Sequence, residues 1–149
     1  MNALPGSRGE INNRDRMRQL ISFSGLRWGT ITPTDIDGVI DYYGIASVFY
    51  EFKYAAAELQ RGQELCLERL VDDAIHARKK AVAILARHDV YDATTDVRAK
   101  DCLVDRAYIG EKQSANGKGI WIPDGKGRTI QQFTDDFFAY VEKDARSGA

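Results

Sequence analysis

The chain is poor in the features that mark several specialised classes of protein. Its 2 cysteines, Cys66 and Cys102, are too few and too far apart for a disulfide framework. We therefore expect a reducing, cytoplasmic setting. No apolar run approaches the roughly 20 residues of a membrane helix, and residues 1–10 lack the apolar stretch of a signal peptide. We expect no membrane partner.

Length and charge narrow the interpretation further. A chain of 149 residues is most simply one domain with a real core. We predict a disordered lead over residues 1–9, a single domain over residues 10–144 and a frayed tail over residues 145–149. The net charge of −1 argues against non-specific coating of nucleic acid. Residues 35–75 nevertheless hold nine acidic and three basic residues between two basic segments. This distribution suits a metal site among phosphate-binding groups, and equally an ordinary solvated surface.

Two neighbouring segments, residues 34–42 and 46–54, alternate like strands but carry charged residues. An antiparallel hairpin centred on Gly44 would gather the charges on one face and leave an apolar reverse face. The opposed pairs on the charged face would be Asp37 with Glu51, Asp35 with Lys53, and Val39 with Phe49. The reverse face would hold Ile36, Gly38, Ile40, Tyr42, Ala46, Val48, Tyr50 and Phe52. Because the buried pattern fixes register, we prefer this odd-length loop to a two-residue turn.

The opposed carboxylates of Asp37 and Glu51 predict a divalent-metal site. Two such groups about 5 Å apart at Cβ repel each other unless a positive charge lies between them. Mg²⁺ or Mn²⁺ fits, because hard cations bind carboxylate oxygens, and the backbone carbonyl of Phe52 would add a ligand. Lys53 suits a phosphate or a water that loses its proton. The alternative is a set of solvated charges on an exposed sheet face.

These residues resemble the PD-(D/E)XK nuclease superfamily. The matching segments are PTDIDGVI (residues 33–40) and FYEFK (residues 49–53). The family places an aspartate at the start of one strand and an acidic-x-Lys triplet on the next. By this resemblance Asp37 and Glu51 are metal ligands and Lys53 is the catalytic lysine. The proline of the first segment is not adjacent to the aspartate, which departs from the family pattern.

A helix predicted over residues 55–78 extends the resemblance, which covers about residues 10–90. Its apolar stripe includes Gln63, and a glutamine on a buried stripe needs a partner. The members of the stripe are Leu59, Gln63, Cys66, Leu70 and Ala74. Within the superfamily the chain resembles small virus-type replication-repair or Holliday-junction-resolvase-like members. Virus-type replication-repair nucleases and related members carry a glutamine at the start of this helix, near the metal site. The resemblance implies that Gln63 positions Lys53 or a backbone phosphate. Alternatively it is a glutamine at the solvated end of an amphipathic helix.

A first helix is predicted over residues 11–23, with a core face formed by Met17, Leu20 and Ile21. The family often places a glutamate or asparagine from its first helix near the metals. Glu10 or Asn13 would fill that role, and the spacing does not choose between them. A helix cap or a solvated residue is the alternative. Asp35 is a further candidate ligand.

The glycine-rich segment 110–128 predicts a hairpin or loop with basic side chains. We interpret the basic side chains as a clamp on a phosphate backbone, with a solvated loop as the alternative. They are Lys112, Lys118, Lys126 and Arg128. The segment lacks the GK[ST] ending of a P-loop, so no nucleotide cofactor is expected. A final helix is predicted from Thr129 to about Lys143.

The sequence therefore predicts an α/β fold. Its restriction-endonuclease-like mixed sheet would be flanked by helices in α-β-β-β-α-β order, with a Gly/Lys-rich loop and a C-terminal helix. The expected activity is Mg²⁺- or Mn²⁺-dependent hydrolysis of DNA phosphodiester bonds. Many nucleases of this fold act as homodimers, which the resemblance extends to this chain. The rival interpretation is a non-catalytic DNA- or protein-binding module on a nuclease-like scaffold, such as a phage or mobile-element factor.

Overall fold

The computed structural model describes residues 13–110 and 116–148, and the chain divides into two compact units, residues 1–33 and 34–149. The predictions for residues 1–9, Glu10 and Lys112 lie outside the described residues. In the described part no helix has the length and apolar character to cross a membrane.

In its described residues, 13–33, the first unit contains one helical turn, α1 (Arg14–Met17). Asn13 caps it by accepting a hydrogen bond from the backbone N–H of Arg16 at 3.1 Å. The helix predicted over residues 11–23 is therefore wrong beyond Met17. Its predicted core face is exposed, with Leu20 exposed by 94%. Short helices are stable mainly when an apolar face packs against a partner, and this face is not buried.

The second unit is built on a five-stranded mixed sheet in the order β1-β2-β3-β4-β5. The strands are β1 (Gly38–Tyr42), β2 (Ala46–Tyr54), β3 (Lys80–His88), β4 (Leu103–Ile109) and β5 (Ile120–Pro123). The helices are α2 (Arg61–His76) and α3 (Ile130–Ser147), with a 3-10 turn at Ala99–Asp101. Only β2 and β3 are parallel, and α2 forms their crossover. This confirms the α/β class with a mixed sheet flanked by helices.

The hairpin register is confirmed by the pairing of Gly38 with Tyr50 and of Val39 with Phe49. A three-residue turn closes it, with Gly44 at a φ of +70°. The first strand is shorter than predicted, because it begins at Gly38. The described residues also place two strands, and not three, before the crossover helix. An earlier bridge between Trp28 and Ile31 does not extend into a ladder.

Two apolar clusters cover opposite faces of the sheet. The α3 side includes Val48, Tyr50, Val82, Ile84, Ala86, Val104, Ala107, Ile130 and Phe133. The α2 side includes Leu59, Leu67, Val71, Ala81, Ala83, Leu85 and Tyr108. Because Leu67 and Val71 are the buried residues of α2, its core stripe lies one position round from the predicted Cys66 and Leu70. Gln63 remains in line with them, one turn earlier.

The predicted start of the last helix is confirmed by a capping box between Thr129 and Gln132. The helix continues to Ser147, through most of the tail for which fraying was predicted. The hydroxyl of Ser147 bonds the carbonyl of Lys143 at 2.9 Å, and Asp144 pairs with Lys80 at 3.1 Å. These contacts hold the last turn.

The backbone at Gly119 lies very close to the end of β4. A Cβ atom at this position would lie 2.0 Å from the carbonyl oxygen of Ile109. We predict that Gly119→Ala lowers the free energy of unfolding by about 2 kcal/mol, because the backbone must move apart. Chemical denaturation would measure this. Gly125→Ala is the matched control, since nothing lies within 4 Å of its added Cβ; an equal loss in both variants would contradict the prediction.

Tyr108 predicts a loss of stability at high pH. Its hydroxyl donates to Asp72 at 3.0 Å and accepts from the N–H of Gly119 at 2.8 Å. Burial, followed by the bond to Asp72, raises the pKa of Tyr108 to about 12. The folded state thus keeps a proton that the unfolded state loses near pH 10. The stability from this group is complete below pH 10 and disappears as pH rises to 12.

Denaturation of the wild type and of Tyr108→Phe across this pH range would measure the effect. We expect the stability difference between them to shrink from pH 10 to pH 12. A constant difference would contradict the assignment of the titration to Tyr108.

Candidate functional site: a carboxylate cluster at the end of strand β2

The candidate site lies where the parallel strands β2 and β3 end. Glu51 and Lys53 alternate with Phe52 on β2 and so point to the same face, beneath α2. The Nζ of Lys53 lies 2.8 Å from Oε1 of Glu51. Glu51 is only 3% exposed, one of two buried polar or charged residues in the described part. A buried carboxylate requires a partner, and Lys53 supplies one.

Gln63 joins the members of this cluster from the first turn of α2. Its amide oxygen accepts a hydrogen bond from Lys53 at 3.0 Å. Its amide nitrogen donates to Glu51 at 3.1 Å and to Asp35 at 3.4 Å. The structure thus brings Gln63 to Lys53, the neighbour that the resemblance implied. The amide is fully used, which explains a polar residue in line with a buried stripe.

Asp37 reaches β2 through its side chain and not through a strand pair. Its Oδ2 accepts a hydrogen bond from the backbone N–H of Phe52 at 2.8 Å. This carboxylate occupies the position that a backbone carbonyl of β1 would take, so β1 begins one residue later, at Gly38. The predicted cross-strand pairs of Asp37 with Glu51 and of Asp35 with Lys53 therefore do not form as strand pairs. Both aspartates nevertheless lie in the cluster.

We call these five residues, Asp35, Asp37, Glu51, Lys53 and Gln63, the carboxylate site. Its electrostatics are dominated by burial, which raises the pKa of Glu51. The negative charges of Asp37 and Asp35 raise it further, while the hydrogen bond and charge of Lys53 lower it. One cation therefore does not fully offset three acids. Additional positive charge at the site would favour the ionised form of Glu51.

The carboxylate site carries the kinds of oxygen atom that divalent cations bind. Among the described residues, the hydrogen bonds and the ion pair of the two carboxylates use Oδ2 of Asp37 and Oε1 of Glu51, and not Oδ1 of Asp37 or Oε2 of Glu51. The N–H and C=O of a strand residue point to the same side. The carbonyl of Phe52 therefore points toward Asp37, just before the first residue of β1. Two carboxylates and a carbonyl suit Mg²⁺ or Mn²⁺. Within the described ranges, no group of three or more His, Cys, Asp or Glu side chains could hold a metal ion.

Two arginines near the site were not predicted from the sequence. Arg87 pairs with Lys53 across the parallel strands. Its guanidinium donates to the carbonyls of Ala55 and Ala57 at 3.0 and 2.6 Å, and to Asp105 at 2.9 Å. It thereby fixes the turn that leads from β2 to α2. The second, Arg106, lies on the same face. Both depend on strand pairings that only the folded sheet defines.

The structure describes three of the four residues of the predicted phosphate clamp. Arg128 bonds Asp124 at 2.8 Å and Asp136 at 2.9 Å and lies over the ring of Phe133. These bonds, chiefly the one to Asp124, raise the pKa of Arg128. The basic residues of this segment that the structure describes, Lys118, Lys126 and Arg128, make no hydrogen bond to the carboxylate site. Asn13 belongs to the first unit, where it is the helix cap.

Comparison of the chain with protein-family models, with curated proteins and with solved structures found no significant match.

The raised pKa of Glu51 gives a test that does not depend on activity. Because its pKa is raised, the carboxyl is most stabilising when protonated, and stability falls as pH rises through the folded pKa. We predict that, over a pH series that crosses this pKa, the thermal midpoint of the wild type falls relative to that of Glu51→Gln as pH rises. We also predict that Mg²⁺ raises the midpoint of the wild type but not of this variant.

Differential scanning calorimetry with and without Mg²⁺ would measure both effects. Glu58→Gln, at an exposed position before α2, is the matched control and should change neither. A midpoint difference that stays constant across the pH series, or an equal response of both proteins to Mg²⁺, would refute the assignment.

Proposed function

We propose that the chain is a metal-dependent nuclease that hydrolyses phosphodiester bonds in DNA, with a site of the PD-(D/E)XK type. The observation that carries the proposal is the direct contact of Lys53 with both Glu51 and Gln63, beside Asp37. An acid, a lysine and a glutamine that converge from one strand and the following helix match the roles that the resemblance implies. The proposal includes a restriction-endonuclease-like fold for the second unit.

The chain's own groups divide the work in this proposal. Asp37, Glu51 and the carbonyl of Phe52 would hold Mg²⁺ or Mn²⁺. When bound, the cation would polarise the scissile phosphate and lower the pKa of a coordinated water. Lys53 would hold the attacking water or stabilise the negative charge that develops on the oxygens of the scissile phosphate.

Gln63 is a positioning residue in this scheme. Its amide oxygen holds Nζ of Lys53, and its amide nitrogen holds Glu51. The amide thus keeps the lysine aligned with the carboxylate that would bind the metal. The raised pKa of Glu51 fits the same scheme, because a cation would relieve the repulsion that Asp37 and Asp35 exert.

The proposed activity predicts a loss of cleavage in two variants. Supercoiled, linear, branched and single-stranded DNA would be incubated with the protein in Mg²⁺, Mn²⁺ or EDTA. We expect cleavage only with metal, and a decrease of at least about 100-fold in Asp37→Ala and in Lys53→Ala, because each removes a charge from the reacting centre. The most rapidly cut DNA would identify the substrate class.

Asp73→Ala and Lys143→Ala are matched controls at exposed positions of α2 and α3, and both should keep full activity. Circular dichroism would show that all four variants fold. Cleavage that survives both site substitutions would refute the nuclease. Saturable DNA binding without cleavage, and without metal binding in calorimetry, would instead establish the non-catalytic binding module. Size-exclusion chromatography would test the homodimer that the resemblance implies.

A further inference from the structure

Arg106 carries a polar atom that the fold leaves unsatisfied. Its Nε is the only buried side-chain nitrogen or oxygen in residues 13–110 and 116–148 that has no hydrogen-bond partner. The rest of the guanidinium is also poorly used. Its closest acidic partner is Glu64, whose Oε2 lies 4.0 Å from Nη2. The guanidinium carbon also lies 5.0 Å from the ring centre of Trp121. An arginine with five donors normally satisfies several of them.

The position of Arg106 relates it to the carboxylate site. Arg106 pairs with Leu85 of β3, and Leu85 pairs with Glu51 of β2. The three side chains therefore form a row on the face beneath α2. Two strand spacings separate the ends of the row, or roughly 10 Å between backbones. The first turn of α2 lies over it, where Gln63 contacts Glu51 and the next residue, Glu64, faces Arg106.

Glu64 already places an anion between two arginines. Its Oε1 bonds Nη1 of Arg61 at 2.7 Å, while its Oε2 lies at the longer distance from Arg106. Arg61 also lies 3.5 Å from Glu68. The carboxylate thus satisfies one arginine well and the other badly. A tetrahedral phosphate carries more acceptor oxygens than a carboxylate and would engage both guanidinium groups.

We propose that Arg61 and Arg106 bind a phosphate that flanks the scissile phosphate on the DNA strand. This phosphate would take the place of the Glu64 carboxylate. The proposal rests on the proposed function for the identity of the scissile phosphate. The DNA strand would then pass the first turn of α2, from the carboxylate site toward Arg61 and Arg106. Reorientation of Arg106 would break no hydrogen bond of its Nε, and it would exchange the contacts with Trp121 and Glu64 for the phosphate.

The test measures DNA affinity in EDTA, where cleavage does not interfere. Fluorescence anisotropy with a short labelled duplex and a labelled single strand would be recorded over a series of KCl concentrations. We expect Arg106→Met to raise the dissociation constant about tenfold. It should also reduce the slope of log K against log salt by about one. Arg61→Ala should act in the same direction, and Glu64→Gln should tighten binding because it removes the competing charge.

Arg69→Met is the matched control, an exposed arginine on α2. It should leave affinity and salt slope unchanged. A purely structural role of Arg106 would lower the thermal midpoint of Arg106→Met, whereas the unsatisfied Nε predicts an unchanged or higher midpoint. The midpoint of each variant is therefore recorded with its affinity.

The outcomes separate this inference from the proposed nuclease activity. If Asp37→Ala abolishes metal-dependent cleavage but Arg106→Met binds DNA with unchanged affinity and slope, the flanking-phosphate site is refuted and the nuclease stands. If the wild type cleaves nothing, yet Arg106→Met loses affinity and slope, the nuclease is refuted and Arg106 remains a DNA contact. Absence of DNA binding by the wild type at low salt, together with absence of cleavage in Mg²⁺ or Mn²⁺, would refute both.

Discussion

The parallel pairing of β2 with β3 is the constraint on which the rest of the second unit depends. Parallel neighbours cannot be joined by a hairpin, so the chain crosses over through α2. The crossover starts where β2 ends, which returns the first helical turn, with Gln63, to the side chains of Glu51 and Lys53. The carboxylate site therefore lies at the carboxyl ends of the two parallel strands, where ligands commonly bind in open α/β sheets.

The carboxylate site combines requirements that oppose each other. Burial and the nearby aspartates disfavour the charge of Glu51, while Lys53 and the amide of Gln63 favour it. A core that served stability alone would replace such a group with an apolar side chain. A perturbed carboxyl beside further acids and a lysine at one edge of a sheet is a common signature of a functional site. This concentration, and not the overall fold, supports the proposed chemistry.

The sequence predicted the elements whose signals are local or periodic. The alternation of apolar residues gave the hairpin register, and Thr129 gave the start of α3 through its cap. The first helix failed because an apolar stripe alone does not provide a partner to pack against. The start of β1 was misplaced because the side chain of Asp37 ends the ladder. Arg87 and Arg106 were missed because their neighbours come from strands distant in sequence.

Arg87 has a consequence for the motions of the second unit. Its guanidinium ties the turn after β2 to β4 through Asp105, while the N–H of Ala55 bonds the carbonyl of His88 at 2.8 Å. Opening of this connection would have to break these bonds to β3 and β4. The bonded amide hydrogens of the turn between Lys53 and Gln63 should therefore exchange with solvent as slowly as those of the core. They should not exchange as fast as those of the surface loops. The site would be as long-lived as the sheet itself.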